Sequence, residues 1–343
     1  MNTNNNPLIS IVVVNWNGEK FLGHCLDAFK SQTYKNFQMI IVDNASTDGS
    51  VDKIEEQWSD TRLIKLDNNT GFARANNIGA NQATGDWLAL VNNDAFLAPD
   101  WLEQMMKASS QYPQYSFFAS RLMQSSGEEN VEATGDICHV SGLAWHRDYN
   151  QPKEKASREP GEVFSASAAA ALYNRNKFLE VGGFDEGYFS HHEDVDLGFR
   201  LRLRGNRCLY VPEAEVKHIG SASFGKESDK TVYQVHRNTV WTYFKNMPGR
   251  LLWKYLLAHL VANLVFLVYY SMRGQWKAIW GAKFDSLRGL PAVLHQRRLV
   301  QESRQIEAQA IADVLDRSWL GPYTLGGRSK RITRFARFLG IES

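Results

Sequence analysis

The apolar run at residues 87–91 ends in two amides and a carboxylate, Asn92, Asn93 and Asp94. Such a run between polar segments is typical of a buried strand in a parallel sheet, and ligands gather at the carboxyl ends of these strands. A carboxylate there can hold a divalent cation, and the cation can hold a diphosphate. The same three residues could instead only form a turn, because Asn and Asp are common turn formers.

A second group of carboxylates, Glu193, Asp194 and Asp196, follows an aromatic and histidine-rich stretch at residues 188–192. Acidic residues at the start of a helix are explained in general by the helix dipole. The dipole does not explain two carboxylates placed directly after this stretch, so the helix start is a second candidate site. His218 ends a later strand and could complete a metal site, whereas alone it would be an ordinary surface or core histidine.

The elements that would position these residues alternate between strands and helices. Apolar runs predict the strands, and apolar residues at helical spacing predict the helices. The strands are expected at residues 9–14, 37–42, 63–66 and 87–91, and the helices at 19–32, 51–58 and 73–82. This alternation predicts an α/β fold with a doubly wound, mostly parallel sheet. Because right-handed crossovers place the strand ends on one edge, that edge should carry a polar, acidic rim. The rim residues are Asn15, Asn17, Asp43, Asp67 and Asp94.

The middle of the chain is less regular. Residues 164–173 are rich in Ala and Ser and are predicted to form a strand of small residues, which leaves room for a ligand. Residues 136–160 are irregular, aromatic and polar, which is typical of a loop that shapes a pocket. Three residues of this loop could contact a ligand or could only pack within it: Trp145, His146 and Arg147.

Two common phosphate-binding loops are missing from the sequence. There is no GxGxxG after the first strand and no GxxxxGK[ST] anywhere in the chain. Without a glycine-rich cradle, a bound phosphate would have to be neutralised by a metal ion or by basic side chains.

The charge of the chain is unevenly distributed. The 343 residues carry a net charge of +2, but from Leu251 onward 14 Lys and Arg residues face only 6 Asp and Glu residues. A basic C-terminal quarter beside an acidic body indicates anionic lipid or nucleic acid as a partner, unless it is only a solvated helical face.

The cysteines, Cys25, Cys138 and Cys208, are far apart and odd in number, which favours buried thiols in a reducing compartment. No signal peptide is apparent, so the N-terminal body is expected in the cytoplasm.

Residues 251–270 are the most apolar stretch of the chain and are just long enough to cross a bilayer. Lys254 and the basic residues on both flanks disfavour a span. Residues 276–300 are aromatic and basic, which is typical of a helix lying in the plane of the headgroups. We therefore expect a helical, membrane-associating C-terminal region on the inner face of the cell membrane. A single span, a packed helical hairpin or a homodimer contact are the alternatives.

Seven motifs in order resemble those of the inverting family 2 glycosyltransferases, which have the glycosyltransferase A-type fold. They are ISIVVVNWNG, IIVDNASTDGS, NNTGFARANNIGA, LVNNDAFLAPDWL, VGGFDEGYF, HHEDVDLGFRLRLRG and VPEAEVKHIGS. The set is most similar to rhamnosyltransferases and related enzymes of bacterial surface polysaccharide synthesis. The resemblance covers residues 8–223 and implies a catalytic domain at residues 1–225, followed by the C-terminal region at 226–343.

The resemblance also implies roles for single residues. Asp94 matches the last carboxylate of the family's DxD motif and would bind Mg²⁺ or Mn²⁺ with help from His218, because Asn92 replaces the first acidic residue of the motif. Asp194 matches the family's catalytic base, and Glu193 lies beside it. The residues expected to bind the nucleotide-sugar donor are Asn15, Asn17, Asp43, Arg74, Asn92 and Asn93.

The predicted function is inverting transfer of a single sugar, with rhamnose as the candidate, from a nucleotide-diphosphate donor to a saccharide acceptor that is lipid-linked. No nucleic-acid partner is expected. Transfer of another hexose is the nearest alternative. A nucleotidyltransferase would need a glycine- and lysine-rich loop after the first strand, where this chain has Asn15-Trp16-Asn17-Gly18. A non-catalytic sugar- or lipid-binding module would not need the adjacent Glu193 and Asp194.

Overall fold

A computed structural model of the chain describes residues 6–59, 61–125, 129–220 and 228–318. A mixed sheet forms the centre of the first 220 residues, and helices cover both of its faces. The strands are β1 (Ile9–Asn15), β2 (Phe37–Asp43), β3 (Arg62–Lys65), β4 (Trp87–Asn92), β5 (Ala95–Leu97), β6 (Phe117–Gln124), β7 (Val131–Ala133), β8 (Asp136–Cys138), β9 (Ala144–His146), β10 (Gly161–Val163), β11 (Ala170–Asn174) and β12 (Cys208–His218). The helices are α1 (Leu22–Lys30), α2 (Ser50–Gln57), α3 (Phe72–Gln82), α4 (Trp101–Gln111), α5 (Arg175–Glu180), α6 (Glu193–Leu203), α7 (Asp229–Asn246), α8 (Gly249–Lys254), α9 (Leu256–Met272), α10 (Trp276–Arg288), α11 (Leu290–Glu302) and α12 (Ala308–Val314).

The parallel half of the sheet has the predicted form. β1 pairs with β2 and β4, and β2 pairs with β3, all in parallel. Every residue of β1 is buried, as its β-branched run indicated, because helices lie on both faces of the sheet. The carboxyl ends of these strands therefore meet at one edge, where the polar residues after each strand come together.

The other half of the sheet is antiparallel in several pairings, so the sheet is mixed. β11 pairs antiparallel with both β4 and β6, and β10 pairs antiparallel with β12. The prediction of one strand at residues 164–173 was wrong for its first part, because residues 164–169 form a buried loop between β10 and β11. The loop predicted at residues 136–160 also contains a short hairpin, formed by β8 and β9.

The helices after residue 228 pack against the sheet-bearing part of the chain through a shared apolar cluster. Phe164 and Phe199 lie in this cluster with Tyr243 and Leu251 of the C-terminal helices. The expected boundary at residues 225 and 226 falls within residues 221–227, which lie outside the described part of the chain. Cys25, Cys138 and Cys208 are buried and form no disulfide bonds, as predicted.

The apolar stretch at residues 251–270 is divided between α8 and α9, with Tyr255 between the two helices. No helix among the described residues is long and apolar enough to cross a membrane. Many large apolar side chains of α8, α9 and α10 are nevertheless exposed. They include Trp253, Leu257, Leu260, Leu264, Met272, Trp276, Trp280, Phe284 and Leu287.

Candidate active site

A cavity of about 470 Å³ opens at the carboxyl ends of β1 and β4. Its walls include the end of β4, the loop and hairpin around residues 132–149, and the turn that leads into α6. Most of the predicted site residues line it. They are Asn92, Asn93, Asp94, Trp145, His146, Glu193, Asp194 and His218. The structure thus brings together residues that are up to 126 positions apart in the sequence.

Asn15 and Asp43 form a hydrogen-bonded pair behind the lining of the cavity. They are register partners on neighbouring parallel strands, and the Asn15 amide donates to Asp43 Oδ1 over 2.9 Å. Asn93 Nδ2 donates to Asn15 Oδ1 over 3.0 Å, which joins the end of β4 to the same network. Gly18 packs against this network, because a Cβ there would lie 2.2 Å from Asn93 Nδ2 and the side chain would have to shift. Part of the predicted rim is therefore a single polar network.

Asn17, Asp67 and Arg74 do not line the cavity. The Asn17 side chain accepts a hydrogen bond from the Thr47 amide over 2.7 Å, and Asp67 is exposed. The Arg74 side chain is 57% exposed, and its Nε lies 3.7 Å from Glu186 Oε2, so a contact with a nucleotide would require that weak surface pair to open. The donor-binding roles of Asn17 and Arg74 stay predictions.

Asp94, His218 and Glu132 form a buried row at the metal-binding corner predicted from the sequence. His218 Nδ1 donates to Glu132 Oε2 over 2.9 Å, and its Nε2 lies 3.2 Å from Asp94 Oδ1. Burial alone would lower the pKa of His218, but the hydrogen bonds to Asp94 and Glu132 outweigh burial and raise this pKa to about 10. Glu132 was not predicted, since it is an isolated acid without a recognisable motif.

The donor set at this corner fits a hard divalent cation. Asn92 Oδ1 is buried and accepts no hydrogen bond from any described residue, and a carbonyl oxygen beside a carboxylate is a set that Mg²⁺ or Mn²⁺ prefers. Glu132 holds His218 Nδ1, as the carboxylates behind metal-bound histidines do. In its protonated form His218 carries a proton on Nε2, 3.2 Å from Asp94 Oδ1, so a cation would have to displace this proton to bind there. Within the described ranges, no three His, Cys, Asp or Glu side chains are already arranged to hold one.

Glu193 and Asp194 begin α6 at another wall of the cavity. Asp194 Oδ1 accepts from the Val195 amide over 2.8 Å, and its Oδ2 lies 3.4 Å from the Ala168 amide nitrogen. Burial and the charge of Asp136 raise the pKa of Asp194 to about 6. Burial and the charge of Asp194 raise the pKa of Glu193 well above its usual range. Both shifts disfavour two charges in this pair, and the hydrogen-bonding geometry favours Asp194 as the ionised member, since its oxygens have amide partners whereas Glu193 Oε2 has none among the described residues.

The turn before α6 has a strained backbone. Phe189, His191 and His192 have φ angles of +63°, +65° and +72°, a region that residues other than glycine rarely adopt. Asn238 of α7 holds this turn, because its side-chain amide donates to the carbonyl oxygens of Tyr188, Ser190 and His191 over 3.2, 3.1 and 2.7 Å. The position of Glu193 and Asp194 thus depends on a helix from the C-terminal region.

Asp136 and His146 form a further pair in the wall of the cavity, across the β8–β9 hairpin. His146 Nδ1 lies 2.7 Å from Asp136 Oδ1, and Ser165 Oγ donates to Asp136 Oδ2 over 2.8 Å. Burial alone would lower the pKa of His146, but the bond to Asp136 raises it to about 9. Of the three loop residues named from the sequence, Trp145 and His146 line the cavity and Arg147 does not.

Asp196, the third acid of the α6 start, has a structural position instead. It is fully buried, and its carboxylate contacts Arg200 Nε at 2.8 Å and Lys245 Nζ at 2.7 Å. Burial alone would raise the pKa of Asp196, but these two cations hold it well below its usual range. Asp196 does not line the cavity.

Comparison with known proteins identifies one family. The model of the family "Glycosyl transferase family 2" matches residues 10–182, just over half of the chain. The N-acetylglucosaminyl-diphospho-decaprenol L-rhamnosyltransferase of Mycobacterium tuberculosis (strain ATCC 25618 / H37Rv) is 28% identical over 255 residues, which cover 68% of this chain and 82% of that protein. The O-antigen biosynthesis protein RfbC of Myxococcus xanthus is 30% identical over 227 residues. That match covers 63% of this chain but only 18% of RfbC, so the chain spans less than a fifth of this relative.

Among solved structures, GalNAc-T7 crystallised with UDP, GalNAc and Mn²⁺ is similar with a TM-score of 0.58. The two chains are 17% identical, and the match covers 71% of this chain and 48% of that one. At this identity the likeness shows the fold alone. It confirms the predicted α/β fold of the sheet-bearing part of the chain, and the family match confirms the resemblance found in the motifs.

Proposed function

The chain belongs to glycosyl transferase family 2, and on this basis we propose that it transfers a single sugar from a nucleoside-diphosphate donor to an acceptor hydroxyl group with inversion. The observation that carries the proposal is that one cavity holds both the Asp194 carboxylate and the oxygen-rich corner at Asp94. The first supplies a base for the acceptor, and the second can offset the charge of the departing diphosphate. Rhamnose is the proposed sugar, because a relative over 68% of the chain is a rhamnosyltransferase.

Asp194 has the properties of the general base in this transfer. Its carboxylate removes the proton of the acceptor hydroxyl while that oxygen bonds to the anomeric carbon and the bond from that carbon to the diphosphate oxygen breaks. Attack from the face opposite the leaving group inverts the configuration. The Val195 and Ala168 amides hold the carboxylate in place. With a pKa of about 6, Asp194 is ionised at pH 7 and is a stronger base than an ordinary aspartate.

Glu193 supports this role because its surroundings disfavour its charged form. Burial and the charge of Asp194 raise the pKa of Glu193, so the geometry leaves the charge of the pair to Asp194. Glu193 Oε2 is buried and has no hydrogen-bond partner among the described residues, which also disfavours a charge there.

The corner at Asp94 is the proposed site of the donor diphosphate and its cation. Asp94, Asn92 and His218 would hold Mg²⁺ or Mn²⁺, which when bound supplies positive charge to offset the charge on the diphosphate. Glu132 fixes the His218 ring so that Nε2 faces Asp94. The nucleoside is proposed to lie along the network of Asp43, Asn15 and Asn93, with Asn17 and Arg74 at its outer end.

The proposal is tested by replacing Asp194 with asparagine and measuring release of nucleoside diphosphate in the presence of acceptor. We expect Asp194→Asn to lower kcat by about 10²–10⁴, the usual effect of losing a general base, while donor binding stays unchanged. Asp52→Asn is the matched control, because Asp52 is also in the first turn of a helix but is exposed on α2. Near-normal turnover by Asp194→Asn would overturn the assignment of the base.

The same assay separates the remaining alternatives. A non-catalytic sugar- or lipid-binding module would release no nucleoside diphosphate with any donor. A transferase of another hexose would release it with a different nucleotide sugar. An N-acetylglucosaminyl-diphospho-polyprenol is the acceptor to use first, since the name of the mycobacterial relative specifies such a lipid.

A lipid-linked acceptor is supported by the exposed apolar surface on α8, α9 and α10. α7 connects this surface to the cavity: its Thr231 and Val235 line the cavity, while Tyr233 OH donates to Asp285 of α10 over 2.6 Å. Exposed basic residues, Lys277 and Arg288 among them, lie on the same helices. Apolar side chains bordered by basic ones are typical of a surface that binds anionic lipid. We therefore propose peripheral attachment to the inner face of the cell membrane.

Vesicle flotation tests the membrane surface. The protein is expected to float with vesicles of phosphatidylcholine and phosphatidylglycerol, and the triple variant Trp276→Ser, Trp280→Ser, Phe284→Ser is expected to stay at the bottom. These three side chains are 55%, 56% and 67% exposed, so the variant should keep the urea midpoint of the unaltered protein. Equal flotation of both proteins would contradict the proposal. If a second copy covers this face instead, the unaltered protein will sediment as a dimer and will not float.

A further inference from the structure

The Asp136–His146 pair is not assigned any role by the function proposed above. Both residues line the same cavity as Asp194, and His146 Nδ1 lies 2.7 Å from Asp136 Oδ1. The Asp136 side chain is 3% exposed, whereas that of His146 is 35% exposed, so the histidine is the member that faces the cavity. A buried carboxylate that holds an accessible imidazole is a common way to fix a functional histidine.

The loop at residues 164–169 ties this pair to Asp194. Ser165 Oγ donates to Asp136 Oδ2 over 2.8 Å, and the Asp136 and Ser165 backbones are paired at 3.0 Å. Three residues later in the same loop, the Ala168 amide nitrogen lies 3.4 Å from Asp194 Oδ2. Asp136 and Asp194 are thus attached to one short, buried segment, and their separation is fixed by it.

We propose that His146 is a positioning residue for the base, supplying the positive charge that lets Asp136 and Asp194 share one side of the cavity. The inference rests on the proposed function, since it gives His146 a role only if Asp194 is the base. Without the His146 charge, Asp136 would face Asp194 with no counter-charge, and like charges at short range disfavour ionisation. Asp194 would then keep its proton to higher pH and would be inactive at the pH where the unaltered protein works.

The charged groups around these residues are consistent with this role. Asp194 is faced by Asp136, whose charge raises its pKa, and by His146, whose charge lowers it. Tyr173 and Glu193 are further buried titratable groups near Asp194, and burial raises the pKa of each, which disfavours a negative charge on either. His146 is itself faced by Asp136, Glu132 and Asp194. It is therefore the group that balances the acids at this wall.

The test is the dependence of kcat/KM on pH. In His146→Gln the apparent pKa on the acid side should rise by about one unit or more, the usual effect of losing an opposite charge at this range. At pH values below the apparent pKa, kcat/KM of His146→Gln should therefore be about tenfold lower than that of the unaltered protein. The difference should be smaller at high pH. A purely structural role would lower activity equally at every pH, and that result would overturn the inference.

The double variant Asp136→Asn, His146→Gln is the sharper measurement. It removes both charges of the pair, so the apparent pKa should return towards that of the unaltered protein. Loss of native contacts alone would predict the opposite, because the double variant has lost more of them than His146→Gln. An apparent pKa as high as that of His146→Gln would also overturn the inference. Urea midpoints show whether both variants fold. If either variant does not fold, His146→Lys takes its place: it keeps a positive charge and should retain the apparent pKa of the unaltered protein.

The outcomes distinguish this inference from the proposed function. If Asp194→Asn is active, the base is wrongly assigned and the proposed function fails first. If Asp194→Asn is inactive and His146→Gln leaves the acid-side pKa in place, the proposed function stands and only the role of His146 fails.

Discussion

Replacing Lys245 with methionine tests how firmly the C-terminal helices are joined to the sheet-bearing part of the chain. Lys245 lies near the end of α7 and is 2% exposed. Its ammonium group contacts Asp185 Oδ2 at 2.5 Å and Asp196 Oδ1 at 2.7 Å. It also lies 4.6 Å from the centre of the Tyr188 ring. A single cation of α7 therefore bridges two segments that flank the strained turn.

The expected loss of stability follows from burial. Removing one partner of a buried ion pair typically costs about 3–5 kcal/mol, because the other charge is left without compensation. Asp196 keeps its contact with Arg200, but Asp185 is left without a cation among its hydrogen-bond partners. We therefore expect Lys245→Met to lower the free energy of unfolding by about 3 kcal/mol, the lower end of that range. Methionine keeps the apolar stem of the side chain, so little of this loss comes from packing.

Lys65→Met is the matched control. Lys65 Nζ lies 2.6 Å from Glu55, as close as the contacts of Lys245, but the two side chains are 51% and 53% exposed. An exposed pair contributes about 0–1 kcal/mol. Urea unfolding followed by far-ultraviolet circular dichroism measures both variants. If the two lysines cost the same within about 1 kcal/mol, burial does not govern the strength of the Lys245 contacts and the reasoning is refuted.

Three further predictions concern activity. Because protonation removes the base, kcat/KM should rise with pH up to the pKa of Asp194, about 6, and level off above it; a flat profile down to pH 5 would contradict this. EDTA should stop the release of nucleoside diphosphate, and Mg²⁺ or Mn²⁺ should restore it in the unaltered protein but not in Asp94→Asn. Full activity of the metal-free protein would contradict the proposed role of the cation. Asn238→Ala should lower kcat about tenfold or more by releasing the turn before α6, whereas Asn263→Ala, on α9, should not.

The parallel half of the fold was predictable because its strands carry a strong local signal. β1 and β4 are short apolar runs that end in polar residues, and burial on both faces requires such runs. Residues 164–169 gave a false signal, since small residues suit both a strand and a tightly packed loop. In the structure this loop instead directs the Ala168 amide towards Asp194.

The candidate site was predictable where a residue follows a recognisable strand or begins a helix. Asp94, Asp194 and His218 satisfy that condition, and all three line the cavity. Glu132 and Asp136 do not, because they lie in short strands of a segment without periodicity. Glu132 meets His218 across 86 residues of sequence, a pairing that only the folded sheet creates. Long-range pairs between isolated polar residues leave no local pattern to find.

The contacts of α7 determine where the chain can be cut for expression. A fragment ending at residue 225 would lose Asn238, and the carbonyl oxygens of the strained turn would lose the amide that holds them. It would also lose Lys245, which leaves Asp185 and Asp196 without that cation. We therefore expect that α7 has to be kept in any shortened version of the protein. The proposed membrane surface is accordingly tested with point substitutions on the exposed face of α10 and not by truncation.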